Sequence, residues 1–343
     1  MYNWPNYSKV FVIKRHKKGT AMYHIIVNPI AGRGQTLTRL PLLTQLFEER
    51  GLPYELMQTT APMDAYELAK HSCLLGSEGV IGVGGDGTMQ EIVSGMADAF
   101  TNEASIPVPL GIFPAGSGND FVMTLEGSKS AALARYKKKN EKTSTELFVN
   151  AIQDRRLKTV DLIKANDRAY LNISNIGLDS RIVKNAVSLK KRYGRYAYLA
   201  SVYKSIVQHK NMLMTIEANG VAIRGFYTLV AVCNGQYYGG GMRVAPKAQI
   251  DDGLITVCVV EAMSRPKTML IFPSLLCAMH VHLSTVFFIR CKQITITPET
   301  DETLCLDGNL YDIDSSLNFQ ILPKALNLFV HSGLQNKEAI PSP

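Results

Sequence analysis

In the first part of the chain, short apolar runs alternate with stretches whose apolar residues recur at helical spacing. The runs predict strands at 23–27, 54–58, 79–83 and 109–113. The stretches between them predict helices at 36–50, 65–75 and 89–100. Because strand and helix alternate, the pattern predicts an α/β domain built on a parallel sheet whose two faces are covered.

The pattern changes near residue 155, where strand-like runs begin to recur at short intervals. They lie at 157–164, 169–174, 212–218, 221–233, 254–260, 286–297, 303–306 and 317–322. Helical stretches interrupt them near 181–209 and 265–279. This series of short strand-like runs predicts an all-β second domain, a β-sandwich. We therefore expect an N-terminal extension at 1–21, an α/β domain at 22–153 and a β-sandwich domain at 154–322.

The net charge and the cysteine content indicate which classes of partner and which cellular compartment to expect. The net charge of +8 favours an anionic partner such as nucleic acid, an anionic membrane or nucleotide phosphates. An RNA-binding aromatic signature and a helix-turn-helix pattern are both missing, which disfavours nucleic acid. The six cysteines form no CxxC pair, so we interpret them as reduced residues of a cytoplasmic protein.

One stretch needs to be tested as a membrane span. Residues 268–289 carry no charged side chain, and about 20 apolar residues can cross a bilayer. Pro273, His280 and His282 interrupt the stretch. We therefore predict a helix to about residue 279, a turn near the histidines and a strand from about residue 286.

Three glycine-rich turns follow predicted strands of the first domain, at 28–34, 84–88 and 114–120. The carboxyl ends of parallel strands share one edge, where α/β folds bind ligands. Glycine lets backbone amides approach a phosphate, and a helix beginning after the turn adds its positive dipole end. Thr88 and Ser117 can add hydroxyl hydrogen bonds. The Asp86 carboxylate beside a triphosphate implies Mg²⁺.

Two other interpretations of these turns are weaker. Each turn alone could be a tight strand-to-helix connection. Residues 82–87 also fit GxGxxG, but a dinucleotide-binding fold should carry an acid at the end of the next strand, and 112–116 has none. A Walker A lysine is missing as well. Three such turns at one edge therefore favour a nucleotide phosphate site.

The turn sequences N-P-I-A-G-R-G, G-G-D-G-T and P-A-G-S-G-N-D resemble, in this order, the diacylglycerol kinase catalytic-domain family. That family includes soluble bacterial lipid kinases and the sphingosine and ceramide kinases, and it is distantly similar to NAD kinase. Further matches lie at 173–179, 234–242, 244–248 and 251–254. The resemblance covers about 23–329. It implies an α/β ATP-binding domain, to which about 323–335 returns, a β-sandwich domain and an active site in the cleft between them.

The resemblance also implies roles for single residues. The residues that would line the nucleotide are Asn28, Gly32, Gly34, Thr59, Gly84, Gly85, Asp86, Gly87, Thr88, Gln90, Ser117, Asn119 and Asp120. Thr60 is the alternative to Thr59. A structural Mg²⁺ site is implied at Asp252, with backbone oxygens of Gln249 and Leu254. On spacing alone, 251–253 would be a turn before a strand.

Asp307 maps to the catalytic base that would take the proton of the lipid hydroxyl, and Asp86 is the other residue expected to be catalytic. Without the resemblance, Asp307-Gly308 would be interpreted as a hairpin turn. Asn309 stands where many family members have glutamate, so a nucleotide-binding member with little turnover is the alternative.

The expected function is therefore transfer of phosphate from ATP, with Mg²⁺, to a lipid hydroxyl. Diacylglycerol is the first candidate, while other glycerolipids and sphingoid bases stay open. We expect a lipid substrate at the membrane surface, a cytoplasmic protein with peripheral membrane contact and no nucleic-acid partner. A homodimer is an open alternative to a monomer.

Overall fold

A computed structural model describes residues 11–15, 22–101, 103, 105–136, 140–178, 182, 197–300, 302–313, 316–331 and 334. Parts of the expected N-terminal extension, of the helical stretch 181–209 and of the segment 323–335 lie outside these residues. The chain divides into two compact units, Met1–Val160 with Lys324–Pro343 and Asp161–Pro323.

The first unit contains a largely parallel sheet. Its strands are β1 (Phe11–Arg15), β2 (Tyr23–Val27), β3 (Tyr54–Gln58), β4 (Gly79–Gly84), β5 (Ile106–Pro114) and the end of β18 (Leu317–Phe329). They lie in the order β1-β3-β2-β4-β5-β18. All neighbours are parallel except β1, which pairs antiparallel with β3. The predicted α/β sheet is confirmed, but part of the expected extension forms its edge strand.

Six helices of the first unit are described. They are α1 (Gln35–Glu49), α2 (Asp64–Leu74), α3 (Asp86–Ala99), α4 (Asp120–Leu125), α5 (Lys129–Arg135) and α6 (Glu141–Gln153). The predicted start of α3 at Met89 is wrong, because Gly85 is extended (φ −101°, ψ −174°) and the helix begins at Asp86. An acid in the first turn of a helix is favoured by the helix dipole.

The second unit is built from antiparallel strands. They are β6 (Leu157–Ala165), β7 (Arg168–Tyr170), β8 (Ile173–Gly177), β9 (Met212–Ala218), β10 (Val221–Cys233), β11 (Tyr237–Tyr238), β12 (Met242–Arg243), β13 (Ile255–Glu261), β14 (Val286–Cys291), β15 (Gln293–Pro298), β16 (Glu302–Leu306) and β17 (Asn309–Ile313). β10 pairs with β8, β9 and β13, and β16 pairs with β8 and β17. The predicted β-rich second domain is confirmed.

The long strand β10 is covered on both faces. Val230 and Val232 join one apolar cluster, whereas Leu229, Ala231 and Cys233 join another. Successive side chains of a strand point to opposite faces, so burial of both faces explains the uninterrupted apolar run.

Helical segments cover one of these faces. They are the helix Arg265–Ile271 and the 3₁₀ turns Phe272–Cys277 and Met279–His282, and the helix Ala197–Gln208 packs against the first of them. The predicted helix to about residue 279 is correct only in part, because the α-helix ends at Ile271 and the chain continues in 3₁₀ turns through the histidines. Among the described residues, no helix combines the length and hydropathy needed to span a membrane.

Three of the predicted strands are divided or extended in the structure. The run 169–174 falls on two strands, β7 and β8. The run 286–297 is two strands, β14 and β15, because the chain turns at Lys292. The run 317–322 extends to Phe329 as β18, whose residues up to Pro323 belong to the second unit and whose later residues belong to the first.

Candidate active site

Backbone hydrogen bonds hold the predicted turns together at the carboxyl edge of the first unit's sheet. The Asn28 amide donates to the Val83 carbonyl at 3.0 Å, and the Ala115 amide donates to the Gly84 carbonyl at 2.9 Å. The Thr59 amide donates to the carbonyl of Val27, also at 2.9 Å. The turns that follow β2, β3, β4 and β5 therefore start side by side, as the sequence predicts.

Glycine is required where these turns touch. Gly32 has φ +56°, and a Cβ on it would lie 2.0 Å from the Ala115 carbonyl oxygen. A Cβ on Gly116 would lie 2.4 Å from the Cα of Gly85. The first and second turns thus each press backbone to backbone against the third, which leaves no room for a side chain.

Side-chain bonds fix the same turns. The Asn28 amide Nδ2 donates to the Thr88 hydroxyl at 3.0 Å, which joins the first turn to α3. Asn119 closes the third turn on itself, since its Oδ1 accepts from the Gly116 amide at 2.9 Å and its Nδ2 donates to the Gly116 carbonyl at 3.0 Å. The Ser117 side chain is exposed at the tip of that turn. It is therefore accessible to a ligand.

Asp86 ties the second turn to the third. Its Oδ2 accepts from the Asn119 amide and its Oδ1 from the Asp120 amide, both at 2.8 Å, with the Phe121 amide farther off at 3.5 Å. Burial raises the pKa of the Asp86 carboxyl, and these backbone N–H groups act in the opposite direction. We expected this carboxylate to face a Mg²⁺ ion bridged to phosphate. Here it instead accepts from the amides at the start of α4.

The remaining expected nucleotide residues are also placed. Gln90 is buried on α3, Gly34 precedes α1 with φ +85°, and Gly87 lies in the first turn of α3. Thr60 is held by Asp64, whose Oδ2 accepts from the Thr60 hydroxyl at 2.8 Å and amide at 2.7 Å. Thr59 is buried at the end of β3, so these contacts do not choose between the two threonines.

Arg39 is a site residue that the sequence did not indicate. It lies on α1, donates through Nη1 to the Pro114 carbonyl and through Nε to Glu141 Oε1 at 3.2 Å. Its guanidinium also stacks 4.9 Å from the ring centroid of Phe113. Arg39 therefore stabilises the third turn at its first residue, Pro114. A single arginine in an amphipathic helix has no spacing signal that would distinguish it from a solvated one.

In the second unit, Asp307 occupies a two-residue hairpin. Asp307 and Gly308 have φ +45° and +97°, and Leu306 pairs with Asn309 across the turn. The hairpin interpretation of Asp-Gly is thus confirmed, since both central residues of such a turn take positive φ.

The Asp307 carboxylate is buried and accepts three backbone hydrogen bonds. Oδ2 accepts from the amides of Leu171 and Asn172 at 3.0 and 3.2 Å, and Oδ1 accepts from the amide of Ile173 at 2.7 Å. These donors stabilise the negative charge and fasten the hairpin to the start of β8. Asp307 therefore has a structural role, whatever its part in chemistry.

The expected Mg²⁺ site at Asp252 does not fit the described contacts. Asp252 Oδ2 is bonded to the guanidinium of Arg290, and Oδ1 accepts from the Leu254 amide at 3.0 Å. The Gln249 side chain is exposed. A cation would have to displace Arg290 from the carboxylate. The contacts instead match the turn interpretation of 251–253, and we derive no step through a metal here.

The second unit also contains a small apolar cavity of about 40 Å³ that is partly open to solvent. β10, β13 and β14 form one wall through Leu229, Val260 and Val286, and the helical segment 265–282 forms another. Polar groups in the wall are turned away: the Thr268 hydroxyl donates to the Ser264 carbonyl, and His280 Nε2 bonds to the Val244 carbonyl. The cavity is thus far smaller than a ligand pocket, and its lining presents hydrocarbon.

Comparison with known proteins gives the family. Residues 22–165 match the family described as diacylglycerol kinase catalytic domain. Residues 172–330 match the YegS C-terminal NAD kinase beta sandwich-like domain.

Individual relatives agree with these matches. The chain is 26% identical to a diacylglycerol kinase of Staphylococcus saprophyticus over 92% of its own length and 97% of the relative. It is 24% identical to a diacylglycerol kinase of Bacillus subtilis over 83% of this chain and 88% of that one.

Solved structures share the fold. A crystal structure titled as a putative diacylglycerol kinase from Bacillus anthracis superposes with a TM-score of 0.70 at 24% identity, over 91% of this chain and 98% of that one. An NAD kinase from Archaeoglobus fulgidus superposes with a TM-score of 0.50 at 12% identity, over 91% of this chain and 95% of that one. The two matched domains, in this order and over nearly the whole described chain, show that it belongs to the diacylglycerol kinase catalytic-domain family, whose members are phosphotransferases.

Proposed function

We propose that the chain is an ATP-dependent lipid kinase that transfers the γ-phosphate of ATP, supplied as its Mg²⁺ complex, to a lipid hydroxyl. Diacylglycerol is the first candidate acceptor, with phosphatidic acid as the product. The observation that carries the proposal is the meeting of three glycine turns at one sheet edge, closed by the contacts Gly32–Ala115 and Gly85–Gly116.

The carboxyl edge of the first unit's sheet supports ATP as the phosphate donor. Backbone without side chains lets a polyphosphate approach closely, and α3 directs the positive end of its dipole to the same place. The exposed hydroxyl of Ser117 adds a donor. Phosphoryl transfer asks a protein mainly for positioning and neutralisation of charge, which rigid turns of this kind can supply.

The acceptor half rests on the second unit. A lipid brings hydrocarbon chains that need an apolar environment, and the cavity beside β10 supplies one. Hydrocarbon chains match such a lining better than a polar nucleotide does. The apolar lining therefore supports a lipid as the acceptor.

The test is transfer of γ-labelled phosphate from ATP with Mg²⁺ to acceptors in mixed micelles. The panel holds diacylglycerol, monoacylglycerol, phosphatidylglycerol, sphingosine and ceramide, with NAD as the soluble control. We expect a labelled lipid. Label in NAD alone, or no labelled product from a protein that binds ATP, would refute the proposal.

Asp307 is the proposed base in this reaction, and its structural contacts dictate how that role is tested. Asp307→Asn keeps the side-chain volume and removes the charge. We expect turnover to fall at least about a hundredfold, as for loss of general base catalysis, with ATP affinity within about twofold. Unfolding should also occur at a lower temperature, because three backbone donors lose a charged acceptor.

The exposed carboxylate of Asp312 on β17 offers a matched control. Asp312→Asn removes a charge from the same hairpin and should leave both rate and melting temperature unchanged. If Asp307→Asn lowers the melting temperature but keeps the rate of the unmodified chain, Asp307 is structural and another group is the base.

A further inference from the structure

The segment 265–282 of the second unit has two apolar faces. Its inner face, with Ile271, Phe272 and Leu275, lines the cavity beside β10. Its outer face presents Leu270, Leu276 and Met279, which are 82%, 61% and 62% exposed. Leu270 is the most exposed large hydrophobic side chain among the described residues. Large apolar side chains with such high exposed fractions usually mark an interaction surface.

The surroundings of this face indicate the chemistry of its partner. No Asp, Glu, Lys or Arg occurs from Thr268 to Ile289, whereas Arg265 and Lys267 are exposed just before it. Glu261 is the nearest acid in the sequence. Apolar side chains bordered by cations are the pattern that binds an interfacial, anionic lipid surface.

The neighbouring helix Ala197–Gln208 has exposed residues of the same kinds. It packs against the segment through Val202 and Ile206, which cluster with Met269 and Phe272. Its exposed residues repeat the pattern, with two large apolar side chains and two lysines nearby. They are Tyr203, Lys204, Val207 and Lys210. Two packed helices therefore each present exposed apolar side chains with basic side chains nearby in the sequence.

We propose that this outer face docks the chain on an anionic lipid bilayer. Leu270, Leu276 and Met279 enter the boundary between headgroups and acyl chains, and the basic side chains lie against the headgroups. The inner face of the same segment then lines the apolar cavity, so the docked element separates bilayer and cavity by the thickness of one helical turn. This inference rests on the proposed lipid acceptor and names the surface through which that acceptor is reached.

Native Cys277 allows docking to be measured without turnover. It lies in the outer face and is exposed, while the other five cysteines are buried. An environment-sensitive fluorophore attached to Cys277 should shift to shorter wavelength with vesicles of phosphatidylcholine and phosphatidylglycerol, and less with phosphatidylcholine alone. The same fluorophore on Val221→Cys in a Cys277→Ser background should not shift. Co-sedimentation with vesicles but no shift at Cys277 would place docking elsewhere and overturn the proposal.

Variants test the side chains themselves. The triple variant Leu270→Gln, Leu276→Gln, Met279→Gln should bind these vesicles at least about tenfold more weakly, because each buried apolar side chain adds to partitioning. The control is Leu74→Gln with Leu75→Gln, since these leucines at the end of α2 are 64% and 58% exposed. The control should bind vesicles as the unmodified chain does. Equal binding by the triple variant and the control would overturn the proposal.

Two outcomes separate this inference from its alternatives. If the triple variant changes the sedimentation coefficient in the absence of lipid and leaves vesicle binding intact, the face is an interface between two copies of the chain. Phosphorylation of a short-chain diacylglycerol dissolved as monomers tests the function without a bilayer. The triple variant should retain that activity. If the unmodified chain does not phosphorylate the short-chain diacylglycerol, the proposed kinase function is refuted, and vesicle docking stands as a separate result.

Discussion

Gly32 and Gly34 provide a matched pair of substitutions that isolates the contact between the first and third turns. Both residues have positive φ, +56° and +85°, so alanine at either position costs about 1–2 kcal/mol of backbone strain. They differ in what a Cβ would meet. At Gly34 nothing lies within 4 Å, whereas at Gly32 the Ala115 carbonyl oxygen lies at 2.0 Å.

The size of the displacement follows from this distance. Carbon and oxygen that are not bonded approach to about 3.3 Å, so Gly32→Ala must separate the two turns by roughly 1.3 Å from the 2.0 Å present. A misplacement of about 1 Å in a phosphoryl-transfer site can cost about a hundredfold in rate. We therefore expect both variants to lose similar stability from strain, and Gly32→Ala alone to lose about tenfold or more in ATP affinity.

The assay is calorimetric titration with Mg²⁺·ATP, paired with thermal unfolding of each variant. Gly34→Ala should bind ATP within about twofold of the unmodified chain. The reasoning is refuted if the two variants bind ATP equally, since the Gly32–Ala115 contact would then have no part in shaping the phosphate site.

Three other expectations follow from the described contacts. Asp86→Ala should lower the free energy of unfolding by about 2–4 kcal/mol, because the amides of Asn119 and Asp120 lose their acceptor. Denaturant unfolding measures this loss, and an unchanged midpoint would contradict the tether. Burial would raise the pKa of Glu126, but His331 and Arg135 outweigh burial and lower that pKa. Glu126 therefore adds stability above its ordinary pKa of 4.5, and this stability is lost as the pH falls through the lower folded-state pKa. Glu126→Gln should flatten the dependence of melting temperature on acid pH, and an unaltered slope would refute this expectation. Asn309→Glu should raise the phosphate-transfer rate at least about tenfold if a second acid assists the base, and no change would show that asparagine suffices.

The sequence predicted the first sheet well because a fully buried parallel strand has an uninterrupted apolar run. Tyr23–Val27 and Tyr54–Gln58 have the predicted bounds. The convergence of the three turns also followed from the sequence alone, since parallel strands share a carboxyl edge.

Other features depend on contacts that no local pattern encodes. The orientation of the Asp86 carboxylate is set by amides of Asn119 and Asp120, more than thirty residues away. The engagement of Asp252, in the turn before β13, by Arg290 on β14 likewise joins residues far apart in the sequence. Motif matching identified both acids as places of interest, but it could not say which partner each one has.

The tether from Asp86 to the third turn has a consequence for how such a site can be rebuilt or diversified. One carboxylate joins the G-G-D-G-T turn to the third turn at the start of α4. The two turns are therefore one rigid structural unit, although a helix and a strand separate them in the chain. Transplanting the G-G-D-G-T loop alone into another scaffold would leave an acid without its amides and a glycine surface without its counterpart. A working transplant must carry both loops, and substitutions in one loop should be tolerated only alongside compensating changes in the other.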